Sequence, residues 1–213
     1  MLHGITHHAI LIHTYDWMEN ALIIFIKNIV PGKVKTRLAA TVGNEKAVKI
    51  YQALLERTRQ AALKTKADLH VFYSTNIEAN DLWDDSIFIK KTQRGNNIGK
   101  RMSNAFVDIF PKYKNAVLIG GDIAHLSTDI LNEGFEKLNS HDFVLGPAYD
   151  GGYYLIGMKE PAPSIFENIN WSTDSVTQKT IENMTALGKT FSLLPTLSDI
   201  DYEEDWIKYG WEI

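Results

Sequence analysis

The chain has 213 residues, enough for one compact domain with a full hydrophobic core. Hydrophobic residues make up 45% and charged residues 23%, as in ordinary globular proteins, and the net charge of −4 argues against a general nucleic-acid binder. The absence of cysteine excludes disulfides and thiolate metal sites and is in keeping with a cytoplasmic protein.

Residues 1–20 are predicted to form a flexible N-terminal extension, and residues 21–213 a single domain. Four histidines (His3, His7, His8 and His13) raise a metal site as an alternative for this segment, but a mobile extension is the interpretation that we favour. The segment lacks the basic start and long apolar stretch of a signal peptide. No apolar run reaches the ~18 residues that cross a bilayer, so we expect no membrane span.

From residue 21 onward, strand-like and helix-like segments alternate. The continuous apolar run ALIIFIK, at residues 21–27, is typical of a strand buried on both faces. Further strands are predicted at residues 67–75, 86–93, 115–122, 142–148, 153–158 and 190–194. This alternation predicts a three-layer α/β/α sandwich around a mostly parallel, mixed sheet.

Helices are predicted between these strands from their apolar spacing and their end signals. The first follows Gly43, the second follows Gly99, and the third has Ser127 as its N-cap. A fourth covers residues 173–187 and ends at Gly188. A short last helix is expected to begin at Asp201, which with Glu204 resembles a capping box.

Polar, glycine-bearing segments follow several of the predicted strands, where open α/β sheets bind their ligands. The first is VPGKVKTRL, in which Lys33, Lys35 and Arg37 alternate with uncharged residues. In an extended loop this alternation would point three cations the same way, which suits a diphosphate. The alternative is a solvated basic loop.

The second segment, QRGNNIGKRM, offers Gln93 and Asn97 to read the edge of a base, and Gly95 and Gly99 to let backbone approach a ring. It is not a P-loop, because Arg101 stands where a Ser or Thr should bind magnesium.

The third segment is GGD, which ends a buried strand. Its Asp122 is a candidate ligand for a divalent cation shared with substrate phosphates, and the alternative is a simple turn residue. The fourth is GPAYDGGYYLIG, where Asp150 offers a carboxylate, Gly151 and Gly152 a close backbone approach, and Tyr153 or Tyr154 a ring. A plain Asp-Gly hairpin is an equally supported interpretation of the fourth segment.

Together with NINWSTDSVTQKT and DIDYEEDW, these segments resemble the bacterial glycosyltransferase-like family known as radical-SAM/selenodomain-associated transferases. The likeness runs from about residue 21 to residue 206 in the same order. It implies the GT-A, nucleotide-diphospho-sugar transferase fold, which is Rossmann-like and is shared with nucleotidyltransferases. It also implies a nucleotide substrate and Mg²⁺ or Mn²⁺.

The resemblance also implies roles for particular residues. Phosphates would be bound by Lys35 and Arg37, the base by Gln93 and Gly95, the metal by Asp122 with Asp201, the sugar or acceptor by Asp150, and the acceptor side by Trp171, Ser172 and Thr173.

Two positions depart from the family, since Gly121 replaces a Thr or Ser and Ala124 replaces a Pro. These changes are expected to remove a supporting hydrogen bond and to loosen the turn that aims Asp122. For Asp201, the alternative role is a helix cap.

The predicted function is glycosyl transfer from a nucleotide-diphospho-sugar. The metal on Asp122, with Lys35 and Arg37, would stabilise the departing nucleoside diphosphate, and Asp150 would position or deprotonate an acceptor hydroxyl. Nucleotidyl transfer from a nucleoside triphosphate and nucleotide binding without turnover are the alternatives. The expected partner is a sugar nucleotide or a nucleoside triphosphate, not a nucleic acid, and a homodimer is left open.

Overall fold

A computed structural model describes residues 18–213, whose centre is a seven-stranded sheet in the order β3-β2-β1-β4-β6-β5-β7. The strands are β1 (Met18–Ile26), β2 (Asp68–Tyr73), β3 (Phe88–Thr92), β4 (Tyr113–Gly120), β5 (Phe143–Pro147), β6 (Tyr153–Met158) and β7 (Phe191–Leu193). The histidines of the predicted extension lie outside the described residues, whereas its last three residues, 18–20, form the start of β1.

Helices cover both faces of this sheet. They are α1 (Thr36–Val42), α2 (Asn44–Ala62), α3 (Ile98–Ile109), α4 (Thr128–Leu138), α5 (Val176–Ala186) and α6 (Glu203–Tyr209), with a 3-10 turn at Pro163–Phe166. No helix within residues 18–213 has the length and apolar character needed to cross a membrane.

The sheet is mixed, with parallel pairs in the majority. Strand β1 lies at its centre, parallel to β2 and β4, and β3 is parallel to β2. Strand β6 is antiparallel to both β4 and β5, and β7 is parallel to β5. Because β5 joins β6 through a short turn, the two strands must form an antiparallel hairpin. The predicted α/β class is confirmed.

Successive residues of β1 enter different cores. Leu22 and Ile24 pack in one hydrophobic cluster with side chains of α2 and α4. Ala21 and Ile23 pack in a second cluster with side chains of α3 and α5. This alternation follows from the period of two in a strand and accounts for the continuous apolar run in the sequence. Because β1 to β4 run parallel to one another, their carboxyl ends lie at the same edge of the sheet, between the two helical layers.

Candidate functional site

The centre of the candidate site is Lys35, whose ammonium bridges two carboxylates at this edge of the sheet. Its Nζ lies 2.8 Å from Oδ2 of Asp122 and 3.0 Å from Oδ1 of Asp201. Nη1 of Arg37 donates to the other oxygen of Asp201 at 2.9 Å. The structure thus brings together the two predicted phosphate-binding cations and the two predicted metal ligands.

Lys35 is almost fully buried beside two carboxylates that remain partly exposed. The Lys35 side chain is 5% exposed, whereas the side chains of Asp122 and Asp201 are 35% and 32% exposed. Burial alone would lower the pKa of Lys35, but the neighbouring carboxylates of Asp122 and Asp201 raise it above its ordinary value. Burial likewise works against ionisation of Asp122, yet the charge of Lys35 holds the pKa of Asp122 below its ordinary value.

Backbone contacts bring the C-terminal segment to the end of β4. The N–H of Ile200 donates to the carbonyl of Asp122 at 3.3 Å, and Ile123 forms an isolated antiparallel bridge with Asp199. Asp122 and Asp201 are therefore held near each other by main chain as well as by Lys35. The predicted capping role of Asp201 is wrong, because its side chain pairs with Lys35 and Arg37. Oδ2 of Asp205 accepts the N–H groups of residues 201 and 202 instead.

The basic segment is not extended, as the sequence alternation had suggested. The N–H of Lys33 closes a turn on the carbonyl of Val30, Lys35 has left-handed backbone angles (φ 47°, ψ 46°), and α1 begins at Thr36. Lys33 is exposed and lines none of the site's cavities, whereas Arg37 is brought alongside Asp201 by the first turn of α1. The convergence of Lys35 and Arg37 thus comes from a turn and a helix.

Lys35, Arg37 and Asp201 line a cleft of about 560 Å³, called here the outer cleft. It is lined by Lys27, Lys35, Thr36, Arg37, Asp150, Ser172, Thr173, Asp174, Asp201 and Tyr202. Sequence reasoning missed Lys27 and Asp174. The signal for Lys27 was its position as the first charged residue after an apolar strand, which places it at the carboxyl end of β1.

Asp199 is a further carboxylate that the sequence analysis missed. Burial first, and then the negative charges of Asp150, Asp201 and Asp122, raise the pKa of Asp199 to about 7. Asp199 thus feels three other carboxylates, although it does not itself line the outer cleft. Spacing alone did not single out Asp199, because the SDID segment could equally have been the start of a helix.

A second cavity of about 250 Å³, the inner pocket, lies behind Lys35. Lys27, Lys35 and Asp122 line it together with apolar groups that include Phe25, Ile26, Tyr51 and Ile98. Because Lys27 and Lys35 line both cavities, one ligand could extend from the inner pocket into the outer cleft.

Of the residues predicted to read the base, Gln93 lies in the inner pocket and Asn97 lies at the start of α3. Gln93 lines the inner pocket, but its Nε2 donates to the carbonyls of Ile26 and Phe72, and its Oε1 accepts from Arg101. Its amide therefore braces the ends of β1 and β2 while it lines the pocket. Oδ1 of Asn97 caps α3 by accepting from the N–H of Lys100.

The glycine predicted to lie beside the base has a conformational role. Gly95 has φ +145° and lines neither the outer cleft nor the inner pocket. A Cβ at this position would lie 2.8 Å from the backbone nitrogen of Arg101, so a side chain here would be strained.

The Asp-Gly-Gly segment is both a hairpin turn and part of the outer cleft. Asp150 lines the cleft, and its Oδ1 accepts the N–H of Gly152 at 2.8 Å. Gly151 has φ +88°, and a Cβ there would lie 2.2 Å from the carbonyl oxygen of Asp174, so only glycine lets the turn approach this segment. The ring of Tyr153 packs against the second core cluster instead of lining the cleft.

The predicted acceptor segment divides between two cavities. Ser172 and Thr173 line the outer cleft, whereas Trp171 lines a separate cleft of about 340 Å³ beside the start of α3. The indole of Trp171 lies against Gly99, since a Cβ there would be 2.2 Å from Cζ2 of the ring. This contact joins the acceptor segment to the second predicted segment.

The two departures from the family have structural compensations. Gly121 leaves space that Leu55 fills, because a Cβ at Gly121 would lie 2.7 Å from Cδ2 of Leu55. Ala124 is fully buried and its carbonyl accepts from Nη1 of Arg57 at 2.7 Å. The Ile123–Asp199 bridge and Arg57 therefore hold the turn after Asp122 in the absence of the proline.

Replacing Gly121 with threonine is expected to lower the free energy of unfolding by about 1–3 kcal/mol, because the new side chain collides with Leu55. Chemical denaturation of Gly121→Thr, Leu55→Ala and the double variant forms a cycle that measures the collision. In the Leu55→Ala background, the threonine should cost less. An equal cost in both backgrounds would contradict this account of the departure.

The residues of the site fit a divalent cation of the kind that the resemblance implies. Carboxylate oxygens of Asp122 and Asp201 converge on one point that already holds a positive charge, and such hard donors suit Mg²⁺ and Mn²⁺. No group of three or more His, Cys, Asp or Glu side chains between residues 18 and 213 is already arranged to hold a metal ion. Substrate phosphates would therefore have to complete the coordination, as they commonly do for Mg²⁺.

Comparison with known proteins gives a matching family and similar solved structures. The model of a family described as "Uncharacterized protein conserved in bacteria (DUF2064)" matches residues 57–173. A crystal structure of a "putative nucleotide-diphospho-sugar transferase" from Desulfovibrio desulfuricans G20 is 34% identical, with a TM-score of 0.80, over 87% of this chain and 83% of the other. A search of the curated proteins gives no significant match.

More distant structures share the fold alone. The inositol-1-phosphate CTP transferase from T. maritima is 14% identical, with a TM-score of 0.59, over 88% of this chain and 91% of its own. A Mycobacterium tuberculosis H37Rv protein crystallised with manganese is 12% identical, with a TM-score of 0.54, over 91% of this chain and 98% of its own. The chain therefore has the fold of nucleotide-diphospho-sugar transferases and nucleotidyltransferases, as the resemblance had implied.

Proposed function

The chain belongs to the DUF2064 family of bacterial proteins, and from this membership and the geometry of the site we propose that it is a metal-dependent transferase acting on a nucleotide-activated substrate. The favoured reaction is glycosyl transfer from a nucleotide-diphospho-sugar to a hydroxyl acceptor. The likeness to the relative from Desulfovibrio desulfuricans G20 supports this choice over the alternatives. We also propose that the chain is a radical-SAM/selenodomain-associated transferase, as the sequence resemblance suggests.

One observation carries the proposal: Lys35 and Arg37 meet Asp122 and Asp201 at the carboxyl edge of the sheet. Binding a diphosphate together with a divalent cation requires both signs of charge at one place, because the metal needs carboxylates and the phosphate oxygens need cations. A solvated basic loop or a simple turn would not hold a buried lysine between two acids drawn from distant parts of the chain.

We propose that the substrate extends across both cavities. The nucleoside lies in the inner pocket, against Phe25, Ile26 and Ile98, and the diphosphate lies beside Lys27, Lys35 and Arg37. The sugar and the acceptor then share the outer cleft with Asp150 and with the Ser172–Thr173 segment. The shared lining by Lys27 and Lys35 supports this arrangement.

The chain's own residues supply most of the chemistry in this proposal. A bound Mg²⁺ or Mn²⁺, held by Asp122 and Asp201, would neutralise charge on the diphosphate. Lys27 and Arg37 bind the departing nucleoside diphosphate as its negative charge grows, and Lys35 joins them when its ammonium turns toward the phosphates. Asp150 is anchored through Oδ1 by the N–H of Gly152 and accepts the proton of the acceptor hydroxyl through its other oxygen.

Nucleotidyl transfer is the alternative reaction, since the same groups would grip a nucleoside triphosphate and release pyrophosphate. Thermal shift with Mn²⁺ should separate the two reactions, because a ligand stabilises the folded state according to its affinity. UDP-glucose, GDP-mannose and ADP-glucose are tested against UTP, GTP, ATP and CTP. A sugar nucleotide is expected to give the largest Mn²⁺-dependent rise in melting temperature. A larger rise with a triphosphate would favour nucleotidyl transfer, and no rise with any compound would contradict the proposed function.

A further inference from the structure

We infer that Lys35 competes internally with the divalent cation, so that metal binding requires its ammonium to leave Asp122 and Asp201. The inference rests on the proposed function, because it takes these two carboxylates as the metal's protein ligands. It adds a coupling: a substrate phosphate that attracts the Lys35 ammonium also opens the cation position. Metal and nucleotide then favour each other's binding.

The position of the ammonium is the first reason for this inference. Nζ of Lys35 lies 2.8 Å from Oδ2 of Asp122 and 3.0 Å from Oδ1 of Asp201, so it uses the oxygens that face the space between the two acids. A divalent cation shared by these oxygens would have to enter the same space. Two cations cannot occupy it together, since both the contact distances and the like charges oppose this.

The carboxylates do not depend on Lys35 to stay near each other. The Ile200 N–H donates to the carbonyl of Asp122, and the Ile123–Asp199 bridge pairs the same two segments. Arg37 holds the second oxygen of Asp201. When the ammonium leaves, the main chain therefore keeps a pair of acidic side chains facing the vacated position.

The backbone and the side chain of Lys35 suit a movable cation. Its left-handed backbone conformation, rare for a residue with a Cβ, aims the side chain inward just before α1 begins. The flexible four-carbon stem then lets the ammonium move without a backbone change. Lys35 lines both the outer cleft and the inner pocket, so its ammonium reaches either cavity from one anchor.

The direction of the coupling follows from charge. Without a substrate, displacing the ammonium breaks two ion pairs and leaves a largely buried cation without a partner, which is costly. A phosphate beside Lys35 gives the displaced ammonium a new anion and lowers that cost. By linkage, the metal must then strengthen phosphate binding by the same factor.

Mn²⁺ binding to the full chain without nucleotide, followed by the electron paramagnetic resonance signal of free Mn²⁺, tests the inference. Lys35→Met is expected to bind Mn²⁺ at least tenfold more tightly than the wild type, because the competing cation is gone. Lys35→Gln, which keeps a polar side chain, should also bind more tightly and gives the same answer if the methionine variant folds poorly. Equal or weaker Mn²⁺ binding in the folded variants would overturn the inference.

The matched control is Lys27→Met, which removes the same charge from the same cavities. Lys27 lines the outer cleft and the inner pocket but forms no ion pair within the described residues. The charge of Lys27 also acts on Asp122, so its loss should raise Mn²⁺ affinity, but by a much smaller factor than the loss of Lys35. An equal gain in Lys27→Met and Lys35→Met would show general electrostatics and overturn direct competition.

A double variant separates this inference from the proposed function. In Lys35→Met/Asp122→Asn the tighter Mn²⁺ binding should be lost, because one of the two protein ligands is neutral. If the Lys35 variants gain affinity and the double variant keeps the gain, the metal lies elsewhere and the proposed cation site fails. If wild type and variants bind Mn²⁺ equally and all depend on Asp122, the cation site stands and only the competition is refuted.

Discussion

Replacing Asp122 with asparagine is expected to abolish metal-dependent nucleotide binding, with an affinity loss of more than about 100-fold. Groups that only support a metal ligand already contribute 10–100-fold to metal affinity, so loss of a ligand's charge should cost at least as much. The amide keeps the size of the carboxylate, and Lys35 keeps Asp201 as a partner, so the fold should survive. Calorimetry with Mn²⁺ and the nucleotide that gives the largest thermal shift measures the effect.

The matched control is Asp129→Asn, which removes one carboxylate at an exposed position in the first turn of α4. Its nucleotide affinity should equal that of the wild type, because Asp129 lines neither the outer cleft nor the inner pocket. An unchanged affinity in Asp122→Asn would refute the assignment of this carboxylate as a metal ligand, whatever the fold.

The second large effect concerns His70, which is a buried and neutral histidine in β2. It is 3% exposed and its Nε2 lies 3.1 Å from the hydroxyl of Tyr113. That hydroxyl donates to Asp68, so the Nε2–H of His70 must donate to Tyr113, and Nδ1 is left as a buried atom without a partner. Protonation would place a charge and an unpaired N–H in the core.

The pKa of His70 is accordingly lowered to about 4. Burial is the main cause and the positive charges of Lys91 and Lys112 add to it, while Asp68 opposes them. Because the unfolded chain binds this proton near pH 6.5, the unfolded state takes up more protons than the folded state between about pH 4 and pH 6.5. The free energy of unfolding should therefore fall by up to ~3 kcal/mol as the pH drops through this window.

Urea denaturation of His70→Gln between pH 7.5 and pH 4 tests this expectation. The variant replaces the titrating ring with a neutral amide that can still donate to Tyr113, so its stability should depend less on pH than that of the wild type. His125→Gln changes an exposed histidine and should keep the wild-type dependence. Parallel pH curves for wild type and His70→Gln would show that His70 is not the group responsible.

Much of the fold could be predicted from the sequence, because apolar runs, turns and helix caps are local patterns that mark its strands and helices. The apolar run of β1 and the Asp-Gly-Gly turn before β6 gave strands at the observed places, and residues 153–158 form the predicted strand. Ser127 caps α4 through its hydroxyl, and Gly188, with φ +66°, follows α5, as predicted. Each of these signals depends on neighbouring residues alone.

The site was harder to predict because it depends on contacts between distant segments. The basic alternation of Lys33, Lys35 and Arg37 suggested an extended loop, whereas a turn and α1 produce the observed arrangement. Gln93 has the chemistry to read a base, but its amide is used by the strand ends, which no local pattern reveals. Asp199 could be recognised as a residue near the site only from the structure, in which its bridge to Ile123 brings it close to Asp122 and Asp201.

The central claim is that a divalent cation on Asp122 and Asp201 lies against a diphosphate gripped by Lys35 and Arg37. A crystal grown with Mn²⁺ and the best-binding nucleotide tests it most directly, because manganese can be located by its anomalous scattering. The account predicts an anomalous peak at coordination distance from carboxylate oxygens of Asp122 and Asp201, with phosphate oxygens completing its coordination and contacting the two basic side chains. A nucleotide bound in the cleft with its metal away from both carboxylates would contradict the account.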